Sequence, residues 1–469
     1  MNGPDIHHAQ ELFHDGNRLA AAGDATAAEA RYREALALWP GFAEAYANLG
    51  LLLETRDADD EAQAAYECAL ALDIENAQTH QNLGVLLAKR KRLAEAETAY
   101  QRAIWFAPES APAWSNLCAL YGAMHRDAEA EGCARKALSI APGYEKARFN
   151  LAYVLLRQGR WEEGWDLFES RDWYHALQQR LGLPRWLGEP LDGRRLLVGY
   201  EAGHGDMIQF ARYLALLRAR GAGRVGLLCH PALKALFATL PDADALYAFD
   251  EAVPADAWDA WVPLLSLPRL FDTRVETVPA PTPYLQADPA RLARWAPRLP
   301  PKPSGGLRVG LVWKGNPRFE NDADRSLASL ALLAPLAEVP GVQFVSLQKG
   351  AGEDEAREPP PGFSITPLGQ DAQDFADTAA VIAPLDLVIS VDTAAAHLAG
   401  ALGRPCWLLL PHYLTDWRWL DTREDSPWYP GMRLFRQGPG DDWPAVIARV
   451  RSALSLHAAA QRTVLDNAQ

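Results

Sequence analysis

A spacing of 34 residues governs the first third of this chain. Ala28, Ala62, Ala96 and Ala130 recur at that interval, and so do Ala35, Ala69, Ala103 and Ala137. Tyr32, Tyr66 and Tyr100 keep the same register, followed by Ala134. Leu49, Leu83, Leu117 and Leu151 form another series, with Gly50 and Gly84 directly after two of them. Pro40, Pro108 and Pro142 close three units, and Ile74 takes that place in the second. Such a unit is too short to bury its own apolar face and must stack on a copy of itself. Small residues let two helices approach closely, Tyr and Leu fill the groove between them, and Pro ends a helix and fixes the turn. Four units run from about Ala9 to Tyr144. A fifth begins at Glu145, keeps Leu151, Gly164 and Phe168 in register, and dissolves at ESRDW.

The pattern resembles the tetratricopeptide repeat, a helix–turn–helix unit, and predicts an all-α solenoid of about 4.5 repeats over residues 1–170. One more series bears on function. Asn48, Asn82, Asn116 and Asn150 precede the four leucines, on the first helix of each unit, which lines the concave face of such solenoids. An Asn amide both donates and accepts, so a row of them holds an extended peptide by its backbone without reading side chains. The ladder resembles that in the repeat domain of O-linked N-acetylglucosamine transferase, which grips acceptor polypeptides. The alternative is that each Asn bonds a neighbouring helix.

Length and composition set the outer limits. At 469 residues the chain is long enough for two or three cores, and 49% hydrophobic with 23% charged residues excludes a mainly disordered protein. No run of about 18 uncharged apolar residues occurs, so no membrane span is expected. The N-terminus has neither a basic start nor an apolar core, so nothing points to secretion. A net charge of −14 argues against a general nucleic-acid binder while leaving room for a local basic pocket. The five cysteines, Cys68, Cys118, Cys133, Cys229 and Cys406, are scattered without a CxxC pair and point to a reducing, cytoplasmic setting. Sixteen tryptophans are an excess, and nine of them gather in two places: Trp161, Trp165, Trp173 and Trp186, then Trp407, Trp417, Trp419, Trp428 and Trp443.

Beyond the repeats, residues 171–192 read as a connector. RRLLVGY is a strand, EAGHGD a Gly-rich turn, MIQFARYLALLRARGA a helix, RVGLLCH a strand and PALKALFATL a helix. Alternation of this kind predicts a parallel wound sheet, here residues 193–300. The Pro-rich stretch VPAPTPYLQADPARLARWAPRLPPKPSGG reads as a linker. A second Rossmann-like domain follows over 301–469: strand RVGLVW, helix SLASLALLAPLAEV, strand QFVSLQKG, helix DTAAVIAPL, strand LVISVD, helix TAAAHLAGALG, strands PCWLLLP and MRLFRQ, and a closing helix. Two such halves predict a cleft between two sheets, with ligands at the carboxyl ends of strands.

The strand-to-helix turns hold the chemistry. In GHGD, Asp206 at a helix start is either a proton acceptor or a helix cap, and His204 is a second candidate acceptor. KGNPRFENDADRS offers Lys314, Asn316 and Arg325 beside helix-start N–H groups, a combination suited to a diphosphate, although acidic residues lie in it too. Gln348 and Lys349 form the next turn, a candidate wall for a base or ribose. In SVDTAAAHLAGALGRP, Asp392 ends a strand, while Thr393 and Ala394 open a helix whose small residues expose first-turn N–H groups; His397 lies on the same face. DWRWL supplies Trp417 and Arg418, which either stack on a ligand or belong to the core.

GLVWKGNP, NDADRS, FVSLQKG, DFADTAAVIAPLDLVISVDTAAAHLAGALGRP, DWRWL and DSPWYPGMRLFRQ together resemble bacterial repeat-containing glycosyltransferases near the heptosyltransferase group (glycosyltransferase family 9), which include flagellin-modifying enzymes. The resemblance implies a GT-B fold over about residues 190 to 455. It implies an inverting transfer from a nucleotide-sugar (UDP-, GDP- or CMP-linked) to a protein acceptor held by the solenoid, with Asp206 as base. Asp392, Thr393 and His397 match the family's donor-phosphate motif. His204 departs from the family's usual small or apolar residue, and Lys314 from a common Ala. No DxD pair lies on a strand end, so neither a metal nor a resident cofactor is expected; the nucleotide sugar is a co-substrate. The rival expectation is a non-catalytic repeat adaptor or chaperone with a decayed transferase fold.

Overall fold

The computed structural model describes all residues except 1, 2, 255, 280, 441 and 467–469. Contacts divide the chain into two compact units, Met1–Val154 and Leu155–Gln469. The boundary falls earlier than the repeat pattern, which continues in sequence to about 170.

The first unit is a ladder of helix pairs: α1 (Gly3–Ala21) with α2 (Ala25–Leu38), α3 (Ala43–Thr55) with α4 (Asp59–Leu72), α5 (Ala77–Lys89) with α6 (Leu93–Phe106), and α7 (Ala111–Ala123) with α8 (Asp127–Ile140). A further helix, α9 (Glu145–Arg157), follows. The first helices of successive units also touch one another, α1 with α3, α3 with α5 and α5 with α7, which sets them on the tighter, inner side of the curve. The repeat positions explain the pairing. Ala28, Ala62, Ala96 and Ala130 are fully buried, and Tyr32, Tyr66 and Tyr100 lie against the facing glycines. A Cβ on Gly50 would stand 2.7 Å from the Tyr66 ring, and one on Gly84 2.6 Å from the Tyr100 ring. Glycine is the only side chain that lets the helices close to this distance.

The second unit opens with α10 (Trp161–Phe168) and α11 (His175–Leu181), a short helix inside the expected connector. Its first sheet holds β1 (Arg195–Gly199), β2 (Arg224–Cys229), β3 (Ala245–Ala248) and β4 (Ala260–Pro263) in the parallel order β3-β2-β1-β4. Between these strands run α12 (His204–Phe210), α13 (Leu214–Ala219) and α14 (Pro231–Phe237). A short turn, α15 (Leu267–Leu270), comes after β4, and α16 (Pro289–Trp295) after that. The second sheet holds β5 (Leu307–Val312), β6 (Val342–Ser346), β7 (Ile365–Pro367), β8 (Leu387–Val391), β9 (Cys406–Leu410) and β10 (Met432–Arg436). Its order, β10-β9-β8-β5-β6-β7, is also wholly parallel and is the doubly wound arrangement, in which strand order reverses between β5 and β8. Its helices are α17 (Asp322–Arg325), α18 (Phe375–Ile382), α19 (Ala394–Ala401) and the closing α20 (Trp443–Asp466).

Two expectations are corrected. SLASLALLAPLAEV is not an α-helix but a run of tighter 3-10 turns over Leu330–Glu338, because Pro335 inside it removes an N–H and blocks the preceding turn. The Pro-rich segment is no loose linker. Arg291 and Arg294 of α16 pair with Asp374 and Asp377, and buried Trp295 donates from Nε1 to Asp377 (3.2 Å), so the segment is fastened to α18.

These contacts set opposite outcomes for two glycines in the first unit. Gly84→Ala gains about 1 kcal/mol of helix propensity but forces a methyl into the buried Tyr100 ring, at a cost of about 1–3 kcal/mol. A lower melting temperature is expected. On α8, a methyl at Gly132 would meet nothing within 4 Å, so Gly132→Ala should raise the melting temperature instead. Thermal unfolding of both variants checks the helix spacing, and a stabilised Gly84→Ala would refute it.

Candidate functional site

The carboxyl ends of β1 and β8 meet because α12 packs on α19. Gly205 permits the approach: a Cβ there would stand 2.8 Å from His397 Cδ2 and 3.6 Å from Ala394 Cα. Several sequence-predicted residues are thereby collected. Asp206 sits in the first turn of α12, where Oδ2 accepts from the Gly203 N–H (2.8 Å) and Oδ1 pairs with Arg418. Both readings of Asp206 therefore bear on one side chain: it caps its helix and faces a cation from the second sheet's loops. Arg418 also pairs with Asp416 (2.7 Å). Next to it Trp419 donates from Nε1 to Asp392 (2.8 Å) and stacks on His397, with ring centres 5.3 Å apart. His397 is buried, its Nδ1 lies 3.0 Å from the Tyr429 hydroxyl, and its Nε2 is 4.0 Å from Asp392.

Thr393 precedes α19 in an extended conformation and makes no side-chain cap; its hydroxyl bonds Ser390 (3.0 Å) instead. Among the described residues the Ala394 and Ala395 N–H groups have no acceptor, so the positive end of α19 is open. Arg325 lies close enough for its charge to act on Asp392 and is held by Asp322 (3.1 Å) with its guanidinium over Phe319 (4.3 Å).

The other predicted donor residues are already engaged. The Lys314 ammonium donates to Glu355 (2.5 Å), and Lys349 to the Gln370 carbonyl (2.7 Å). Gln348 is buried and saturated: Oε1 accepts from the Trp313 and Lys314 N–H groups, and Nε2 donates to the Lys314 and Ala351 carbonyls. It braces the turn after β5 and offers no side-chain atom to a ligand. Asn316 is exposed and accepts from the Arg318 N–H (3.1 Å). Trp417 is core, 1% exposed, packed edge-on against Trp165 (5.2 Å) and Trp428 (6.3 Å). His204 turns away from Asp206 toward His230 (4.6 Å) and Phe375 (5.1 Å).

The amide ladder is also internally bonded. Asn48 donates to Asn17 (2.7 Å), Asn82 accepts from Gln78 (2.8 Å), Asn116 accepts from Lys146 (3.2 Å), and Asn150 donates to the Ser115 carbonyl (3.1 Å) and hydroxyl (3.0 Å). Asn48 and Asn82 also bond the Tyr32 and Tyr66 hydroxyls of the preceding repeat, so all four tie one repeat to the next, as the alternative reading expects. Each retains amide capacity beyond these bonds.

Sequence reasoning missed Arg212, Glu355 and Asp416. Arg212 is buried and, among the described residues, has oxygen partners but no carboxylate: it donates to the carbonyls of Gln209 (2.8 Å), Trp428 (2.6 Å) and Pro279 (3.2 Å) and to the Tyr284 hydroxyl (3.2 Å), between the Tyr284 and Tyr429 rings. Of these only Asp416 had a signal, through the DWRWL run. Among the described residues no group of three or more His, Cys, Asp or Glu side chains is arranged to hold a metal ion, and no helix is long and apolar enough to cross a membrane.

Burial reshapes the titration of the site. It pushes His204 down to about 4, aided by His230, and holds His397 well below the usual imidazole range, with Arg418 and Arg212 adding repulsion. Asp392 is raised to about 6 by burial and by Asp416, against the pull of Trp419, Arg325 and Arg418.

No protein-family model matches the sequence. Over 331 residues the chain is 35% identical to Protein FlbA of Caulobacter vibrioides, an alignment covering 66% of this chain and 54% of that protein. The chain thus spans about half the length of the curated relative it matches. Among solved structures it is similar to MamA (24% identity, 35% of this chain and 94% of that one, TM-score 0.31). It is also similar to PilF of Pseudomonas aeruginosa (24%, 35% and 77%, TM-score 0.34) and to YrrB, a tetratricopeptide protein with an unusual peptide-binding site (22%, 36% and 90%, TM-score 0.31). Likeness at this level carries nothing about activity or ligand.

The titration shifts give a signed pH dependence. Between about pH 6.5 and 4 the unfolded chain protonates both imidazoles while the folded chain does not, so acidification destabilises. Asp392 acts the opposite way, because the folded chain keeps its proton up to about pH 6 and the unfolded chain releases it near 3.8. His204→Gln should therefore lose less melting temperature between pH 7 and 4.5 than the parent chain; equal losses would remove His204 from the acid response.

Proposed function

We propose that the second unit transfers a sugar from a nucleotide-sugar to a protein acceptor, by inversion and without a metal, in a GT-B arrangement of its two sheets. The observation that carries this reading is the convergence of three features at one place: the start of α12 with Asp206, the uncapped start of α19 with Asp392 and Thr393, and the cations Arg325 and Arg418. A diphosphate at α19 meets the free Ala394 and Ala395 N–H groups and the field of the helix, with Arg325 neutralising charge as the leaving group departs. Asp206 flanks the acceptor side and can take the proton of an attacking hydroxyl, whereas His204, the second candidate, is turned toward His230 and Phe375. For Asp206 this requires Arg418 to swing from the carboxylate to the phosphate when donor enters, so that the ion pair guards the base in the empty site. Lys314 follows the same logic by exchanging Glu355 for phosphate.

The repeat ladder supports a protein acceptor, because its inner helices present Asn48, Asn82 and Asn150, half-buried and with unused amide capacity, beside the exposed Leu51 and Val85, while Asn116 is buried. Flagellin is the acceptor class that the family resemblance favours, in the cytoplasm.

Thermal shift with UDP, GDP and CMP tests the donor site: a nucleotide at 100 times its Kd stabilises by about 2.7 kcal/mol. At least one is expected to shift the melting temperature, and no shift with any of them defeats the reading in favour of a repeat adaptor. Intact mass of co-expressed flagellin should show a hexose- or nonulose-sized increment with the parent chain. Asp206→Asn, which keeps an oxygen for the helix cap, should lower transfer at least 100-fold while leaving nucleotide binding nearly unchanged. Transfer at the parent rate would place the base elsewhere.

A further inference from the structure

Three adjacent strands of the first sheet each deliver a ring at their carboxyl end. Tyr200 follows β1, His230 follows β2 and Phe249 follows β3, and the three lie in mutual contact at 5.5 to 5.6 Å between ring centres. His204, at the start of α12, extends the row through His230 (4.6 Å), and Phe375 of α18 closes it (5.1 Å). All five are half-buried, so each keeps part of its surface open to solvent. Their polar edges are mostly free. Among the described residues the Tyr200 hydroxyl and both His204 nitrogens have no hydrogen-bond partner, and His230 uses only Nε2, toward the Ala202 carbonyl (3.1 Å). The nearby Lys234 and Glu251 are paired with each other (2.6 Å).

We propose that Tyr200, His204, His230, Phe249 and Phe375 form the surface that takes the sugar ring of the donor, an inference that rests on the nucleotide-sugar reading above. A pyranose has an apolar C–H face and a rim of hydroxyls. An open row of aromatic faces with unused hydroxyl and imidazole edges matches both, and it does so without a charge that would demand an ionic ligand. Position selects the donor's sugar over a sugar on the acceptor. Gly205 lies against Ala394, at the open start of α19, and His204 directly precedes Gly205, so the row begins one residue from the phosphate position. The row stands at the carboxyl ends of β1 to β3, where wound sheets receive ligands. None of these residues is Asp392, Thr393 or His397, the three that match the phosphate motif. They would read the sugar, whereas the start of α19 and the arginines beside it would take the nucleotide's phosphates.

Isothermal titration of the full chain with UDP-N-acetylglucosamine, GDP-mannose and CMP-N-acetylneuraminate, each against its bare nucleotide, tests this. For at least one pair the sugar-bearing form is expected to bind more tightly. Tyr200→Ala and Phe375→Ala should weaken that form about tenfold and leave the bare nucleotide unchanged, while Tyr200→Phe loses less because the ring remains. Melting temperatures without ligand verify folding; if Tyr200→Ala unfolds, Tyr200→Phe and Phe375→Leu carry the comparison. Equal affinity of sugar-bearing and bare forms in the parent chain, or equal weakening of both in the variants, overturns the proposal while the nucleotide site stands. Failure of every nucleotide to bind overturns both.

Discussion

The second unit depends on how closely α12 lies against α19. That distance is set by one missing side chain, at Gly205, and it brings the end of β1 to the end of β8. The ion pair from Asp206 to Arg418, the stack of His397 on Trp419 and the bond from Trp419 to Asp392 all form across or beside this junction. A methyl at Gly205 would press on His397, which is buried and bonded to Tyr429, so the strain would spread rather than relax locally. The charges follow from the same packing. Dry surroundings hold the imidazoles neutral and raise Asp392, leaving the arginines as the cations of the site.

Behind that junction stands a cluster of tryptophans. Trp161 stacks on Trp428 (5.2 Å), Trp165 meets Trp417 edge-on (5.2 Å), and Phe210 of α12 meets Trp428 (5.4 Å). Two tryptophans from each concentration in the sequence thus meet in space, while Trp186 packs on Phe271 and Trp407 on Phe435. The cluster anchors α10 and α12 to the loop that presents Arg418. Large rigid rings suit this task, because they bury much area while losing few rotatable bonds. Trp417 belongs to this wall and Arg418, its neighbour, to the site, which is why adjacent residues of DWRWL have different roles.

The repeat positions and most strands were legible from the sequence because they rest on period and local chemistry. Alanines at 34-residue intervals admit few foldings, and short apolar runs ending in glycine or aspartate read as strands entering turns. Pro335 and α16 were misread for a shared reason. SLASLALLAPLAEV has helical apolar spacing, and the later Pro-rich stretch has loop composition, yet the outcome depended on a ring clash in one case and on remote Asp374 and Asp377 in the other. Site residues divide in the same way. Asp206, Asp392 and His397 were visible on their turns. Gln348 and Trp417 were not separable from ligand-binding residues, since nothing local tells a buried amide or ring from an exposed one.

By itself, the sequence determined a helical ladder followed by wound parallel sheets, because helix spacing, small-residue contacts and strand–turn alternation are short-range matters. It also placed carboxylates and cations on turns. Only the tertiary structure decided which of them meet. Asp206 and Arg418 are 212 residues apart, and no local rule pairs them. Lys314 is paired with Glu355, four of the five aromatic rings of the first sheet's edge come from separate turns or helices of that half, and the fifth comes from the other half. Contacts of that kind are fixed by the packing of whole helices against one another, a constraint that acts on the folded chain and leaves no periodic trace in its sequence.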